Sequence, residues 1–395
     1  MRPRGDAGTT LFRLQVKDLS CVIVLEQDSF YRKDTSGRLG GSAGCRRTQE
    51  EDVALLELNL SNEEIAAIDA VVDELAQRYD TVESAEFQRE AKVFSDELPR
   101  RVRLVFNDYR GSEAHGALLV TGLPVDDSLI GATPAHWANK PVPSPSIRVD
   151  IAFYLLSCLL GEPIGWATQQ DGYIMHDVFP IKGHEKEQIG SGSEELLVWH
   201  TEDAYHPLRT DYLGLVCLRN PDDVSTTMAD IADVRIDSDT AKVLSEKRFR
   251  ILPDHSHRAG DHAVVESDPK IAELRARSHA RVEQALAEPE PVAVLFGDPD
   301  APYLCIDPHF MKDVQGPVEQ QALDVVGAAI DEAMREVVLR PGAVVFIDNY
   351  RMVHGRKPFK ARHDGTDRWL RRLNVARDLR KSRDARPNAL SRVIY

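Results

Sequence analysis

The sequence predicts a mainly β chain with helices: an N-terminal helical part, then a barrel or double sheet of short strands with a helix inserted. Three observations carry this. Apolar residues recur at helical spacing between positions 61 and 110. From Ile164 onward, short apolar runs alternate with turn residues. One long helical pattern, Val318 to Met334, interrupts those runs. No repeat of fixed period is visible.

Residues 1–52 stand apart. Arg, Gly, Ser and Thr are frequent, and Gly40-Gly41-Ser42-Ala43-Gly44 is linker-like. The stretch is expected to be a loosely packed or mis-started extension, with the true start near Val53 and a single domain over 53–395. Order is expected from Leu58. Ser61 with Glu64 three residues on is a capping box, and Ile65, Ile68, Val72, Leu75 and Tyr79 follow at helical spacing. Further helices are predicted over Ser84–Asp96, Pro99–Tyr109 and Ser146–Leu160, the last stopped by Gly161 and Pro163. A buried strand is predicted at Gly116–Thr121, and a polar, Pro-rich loop over Asp126–Pro145. Later strands are predicted at Trp166–Gln170, Leu196–Trp199, Tyr212–Cys217, Thr226–Ile231, Phe249–Pro253, Val292–Phe296, Val337–Leu339, Ala343–Ile347 and Arg372–Ala376.

Composition narrows the function classes. The 395 residues carry a net charge of -15. That disfavours a nucleic-acid partner, which needs a basic face, and suits a cationic small substrate. The five cysteines are scattered with no C-x-x-C pair, so neither a disulfide framework nor a zinc knuckle is indicated. No run is apolar and long enough to span a membrane. Leu11–Leu25 is broken by Arg13, Lys17 and Asp18 and does not form a signal peptide. The expectation is a cytoplasmic protein with reduced thiols and no membrane partner.

The chemistry gathers around Val198-Trp-His-Thr-Glu-Asp-Ala-Tyr-His-Pro207. His200 and Glu202 are one residue apart, and on an extended segment such side chains point the same way. One imidazole and one carboxylate then converge, and an open octahedral iron site needs one more histidine. His354 is the candidate, in Leu339-Arg-Pro-Gly-Ala-Val-Val-Phe-Ile-Asp-Asn-Tyr-Arg-Met-Val-His-Gly-Arg356. It follows a turn and an apolar strand. A histidine there is also an ordinary core residue, and the partial site upstream is what favours the ligand reading. Arg368 and Arg372 follow, both suited to bidentate capture of a carboxylate. The run from Arg368 to Leu373 does not alternate simply, so a surface-charged edge strand is the competing reading. His206 shares the loop of His200 but is left out, because a third local histidine would fill an open position.

Together these motifs resemble the non-haem Fe(II), 2-oxoglutarate-dependent oxygenases. Within them the chain is similar to the clavaminate synthase-like group and its free L-arginine hydroxylases of peptide-antibiotic biosynthesis. The likeness covers about Leu58 to Arg380. It implies a distorted double-stranded β-helix (jelly roll) core, with Fe(II) as metal and 2-oxoglutarate and O2 as co-substrates. His200, Glu202 and His354 would bind iron. Arg368 would hold the distal carboxylate of 2-oxoglutarate, with Thr227 supplying a hydroxyl. Arg372 would clamp the substrate carboxylate, Gln169 and Glu202 would meet its amino-acid end, and Asp254 and Ser256 would lie on the guanidinium and lid side. Asp298 and Asp300 would bind the guanidinium, with Asp307 the substitute. The bland reading of Asp298-Pro-Asp300 is a turn. The implied reaction is hydroxylation of L-arginine at C3. Dihydroxylation, or action on enduracididine or asparagine, are the alternatives, and a non-catalytic jelly-roll binder is the remote one. A homodimer is allowed.

Overall fold

The computed structural model describes residues 55–254, 257, 268–312 and 315–395. All lie in one compact unit, Glu51–Tyr395; the preceding unit, Met1–Glu50, falls outside them, as do the expectations placed on residues 1–52 and on Ser256.

The N-terminal part runs β1 (Leu55–Asn59), α1 (Asn62–Ala76), α2 (Ala85–Ser95), α3 (Arg100–Ser112), β2 (Ala117–Thr121), α4 (Asp127–Ile130) and α5 (Ile147–Cys158). The capping box forms as expected: Ser61 Oγ accepts from the Glu64 amide, and Glu64 accepts from the Ser61 amide. Ser84 caps α2 through its Oγ alone, which accepts from the Phe87 amide. Next come β3 (Glu162–Trp166), β4 (His176–Val178), β5 (Leu197–His200), β6 (Tyr212–Arg219), β7 (Ser225–Asp230), α6 (Ser238–Leu244) and α7 (Pro269–Ala287). The hairpin β8 (Leu295–Asp298) and β9 (Ala301–Leu304) precedes α8 (Pro308–Met311) and α9 (Pro317–Glu332). The chain closes with β10 (Arg335–Val338), β11 (Val344–Asp348), β12 (Met352–Arg356), β13 (Trp369–Ala376) and β14 (Val393–Ile394).

Two sheets build the core. The larger has the order β1-β2-β11-β6-β13-β3-β14, with β4 also paired to β13; the smaller has the order β10-β7-β12-β5. Early and late strands sit side by side in both, which is the jelly-roll pattern. The larger sheet is two-faced. Phe346, Val216 and Leu373 pack outward against α1, α2, α3 and α5. Leu213, Leu215, Val345 and Leu370 face inward and meet Met228 and Met352 of the smaller sheet. The smaller sheet's other face, with Ala229 and Val353, packs on Val326 and Ile330 of α9. The period of two along β6 and β11 sets this division.

Several expectations need correction. Phe249–Pro253 is not a strand; only Phe249 bridges, to Val292. The strand placed at Trp166–Gln170 ends at Trp166, because Gln170 and Asp171 take positive φ. Helix α7 was not anticipated: its first turn is set by Pro269, and only Leu274, Ser278 and Val282 are buried, so its apolar stripe is thin. The turn at Pro341-Gly342 is confirmed, with Gly342 at φ 83° and a Cβ there colliding with the Leu123 carbonyl.

Candidate active site

His200 ends β5, and Glu202 sits just beyond it in a turn. His354, on β12, is the direct cross-strand partner of His200. The ring centroids are 4.6 Å apart. Glu202 Oε2 lies 3.4 Å from His354 Nε2 and 3.9 Å from His200 Nε2. One ligand atom from each residue falls within 4.8 Å of the others. Gly355 allows this approach: a Cβ there would lie 2.5 Å from the Leu197 carbonyl oxygen. The His200 Nδ1–H donates to the Val198 carbonyl at 2.8 Å, which leaves Nε2 on the side of Glu202.

Asn349 locks the carboxylate's loop in place. Its Oδ1 accepts from the Glu202 amide at 2.7 Å, and its Nδ2 donates to the carbonyls of Glu202 and Thr210. The motif around His354 therefore carries one metal-capable side chain and also fixes another. Burial works to raise the Glu202 pKa, but Arg372 and the two histidines outweigh it, and the carboxyl is held well below its ordinary range.

The triad opens into a cavity of about 810 Å³ between the sheets. Its floor continues the inter-sheet core, with Leu213, Leu215 and Leu370. Arg368, Leu370 and Arg372 share that wall, while Trp369 and Arg371 face away and bond to Asp177. The alternation obscured in the sequence is thus real: the outward arginine is buried among Asp150, Asp177 and Ser146.

Arg368 is 5 % exposed and touches no carboxylate among the described residues. Its Nη2 donates to Thr226 Oγ1 at 3.4 Å, and its Nε is buried without a partner. Burial pushes its pKa down to about 10. A buried guanidinium with unused donors fits an anionic ligand. The hydroxyl beside it belongs to Thr226; Thr227 does not line the cavity, because neighbours on a strand face opposite ways. Arg356, also buried on this wall, was missed; its Nη groups donate to the carbonyls of Ser193 and Glu195.

Arg372 lies on the triad's other flank. Its Nη1 donates to Glu202 Oε1 at 2.6 Å, and its Nη2 donates to Gln169 Oε1 at 2.9 Å. Gln169 and Asp254 both line the cavity as expected. Asp298 and Asp300 do not: they sit exposed at the tip of the β8–β9 hairpin, where Asp298 accepts from the Asp300 amide in a turn. Asp307, the substitute for them, is on the cavity wall instead. It is 9 % exposed, and burial pushes its carboxyl up to about 6 against the pull of His200. His206 is a buried core residue, its ring tilted against Trp166 and its Nδ1 accepting from the Leu208 amide.

The comparisons agree with this geometry. Residues 112–374 match the model of the taurine catabolism dioxygenase TauD, TfdA family. The chain belongs to that family. The dioxygenase is 66% identical over 341 residues to an enduracididine beta-hydroxylase from Streptomyces hygroscopicus, covering 86% of this chain and all of the relative. It is 42% identical to an L-ornithine/L-arginine 3-hydroxylase from Catenulispora acidiphila, covering 86% of this chain and 99% of the relative. Its fold superposes with a TM-score of 0.79 on the non-heme iron oxygenase OrfP in complex with Fe, succinate and (3S)-hydroxy-L-Arg. That pair shares 38% identity over 86% of this chain and 99% of OrfP. The dioxygenase uses Fe(II) and 2-oxoglutarate, and a cluster of three metal-capable side chains would leave the open positions such a metal needs. Among the described residues no helix is long and apolar enough to cross a membrane.

Proposed function

We propose that this dioxygenase hydroxylates C3 of a free amino acid whose side chain ends in a guanidinium, with L-arginine the substrate to test first. The observation that carries the reading is one cavity with a buried, acid-free Arg368 on one flank of the triad and Arg372 on the other. His200, Glu202 and His354 hold the iron. Arg368, helped by Thr226, takes the distal carboxylate of 2-oxoglutarate. Arg372 takes the amino acid's carboxylate, while Gln169 and Glu202 accept from its ammonium group. Asp254 and Asp307 accept from the guanidinium, whose planar donors need carboxylates. Iron with 2-oxoglutarate and O2 supplies the oxidising chemistry when bound. The chain's part is to fix the substrate's orientation and keep water out.

A second substrate has a specific observation in its favour. The relative with 66% identity is named for enduracididine, a cyclic arginine derivative. The test runs L-arginine and enduracididine side by side with Fe(II) and 2-oxoglutarate, reading succinate formed and the product's NMR spectrum. Product hydroxylated at C3 from either supports the reading, and the ratio of rates assigns the substrate. Turnover of neither sinks it. We also place the enzyme in the cytoplasm: Cys158, Cys217 and Cys305 are free and buried, as suits a reducing compartment.

A further inference from the structure

We propose that His176 is a positioning residue for the substrate clamp, holding Arg372 by accepting a hydrogen bond at Nδ1. The distance from Arg372 Nη2 to His176 Nδ1 is 2.6 Å. A guanidinium can only donate, so Nδ1 is the acceptor and the ring proton sits on Nε2. His176 is 2 % exposed, and burial together with the charge of Arg372 keeps its pKa well below the ordinary value. The ring is therefore a fixed neutral acceptor, not a competing cation.

The backbone explains why it is there. His176 and Asp177 are consecutive on β4 and pair in register with Arg372 and Arg371 on β13. Asp177 accepts from Arg371, and His176 accepts from Arg372. One three-residue strand thus fixes two successive arginines that point opposite ways. His176 itself does not line the cavity, so it acts through Arg372. With Glu202 on Nη1 and Gln169 and His176 on Nη2, the guanidinium plane cannot rotate, and its buried, unpartnered Nε–H keeps a set direction. A long arginine held at one point would sample several rotamers, and an amino acid seated on it would present C3 to the iron only part of the time.

This inference rests on the reading of Arg372 as the carboxylate clamp, and the experiment separates the two. Full-length protein is titrated with L-arginine by calorimetry, without oxygen and with Fe(II) and 2-oxoglutarate present; turnover is measured alongside. His176→Phe removes the acceptor and is expected to weaken L-arginine binding about ten-fold, with the 2-oxoglutarate KM unchanged and more succinate formed per hydroxylated product. His176→Asn keeps an oxygen acceptor near the Nδ1 position and is expected to stay within about two-fold of wild type. In an Arg372→Ala background, His176→Phe is expected to add nothing, because its effect passes through the missing side chain. Full wild-type binding in His176→Phe overturns the proposal, as does an additive loss in the double variant. An equal loss in His176→Asn overturns it also, and covers the case in which the Phe variant fails to fold. Normal L-arginine binding in Arg372→Ala alone overturns the clamp reading and the His176 role with it.

Discussion

Arg368 and Asp307 both line the cavity, and each gives a measurable expectation. Arg368→Gln removes a charge-assisted contact contributing about 1.5–3 kcal/mol, so the 2-oxoglutarate KM should rise about ten- to a hundred-fold. Steady-state rates against 2-oxoglutarate check this, and an unchanged KM moves the contact to another group, with Arg356 first. Asp307→Asn should cut hydroxylation at least about ten-fold, while the Asp298→Asn, Asp300→Asn double variant leaves it unchanged, because that hairpin tip is outside the cavity. The reverse pattern would restore the hairpin aspartates. At this scale the sequence carried the triad and both arginines, because each sits in a motif whose spacing has a mechanical meaning. It preferred Asp298 and Asp300 to Asp307, its named substitute, since an exposed turn and a cavity wall use the same residue type a few positions apart, and only pairing in space separates them. Thr226 and Thr227 are the same problem one residue apart.

At the scale of elements, the turn between β11 and β12 does more than connect strands. Asn349 is fully buried and ties that turn to the Glu202 loop through three hydrogen bonds. Asn349→Ala leaves those backbone groups without partners, and thermal or urea unfolding should show a loss of about 2–4 kcal/mol. Iron affinity should fall with it. Beside it, burial raises the Asp348 carboxyl to about 6. A raised carboxyl pKa means the folded state keeps a proton that the unfolded chain releases near pH 4. Stability from this group therefore declines as pH climbs from about 4 through 6 and is level above that. Asp348→Asn should flatten this decline and raise the melting temperature at pH 8; a variant with wild-type pH dependence would clear Asp348 of the effect. Element existence was readable wherever a cap or a long apolar run marked it, as in α1, α2 and β11. The three-residue β4 and the sparsely apolar α7 leave too few periodic positions to stand out, and their place is decided by partners distant in the chain.

For the whole molecule, a chain beginning at Val53 is expected to fold and turn over like the full chain, since the match to the enduracididine beta-hydroxylase takes 341 residues of this chain and spans all of that relative. Circular dichroism and succinate release compare the two, and an unfolded product would show that the extension is needed. The jelly-roll layout also bears on how the site comes into being. The contact joining Glu202 to Asn349 spans 147 residues, and His200 meets His354 across a strand pair still more distant in the chain. Closing loops of that length is a slow, late event, whereas the N-terminal helices form from near neighbours. During refolding, iron capture should therefore trail the return of helical signal by a resolvable interval, making the metal a chemical timestamp for the moment β5 and β12 finally pair.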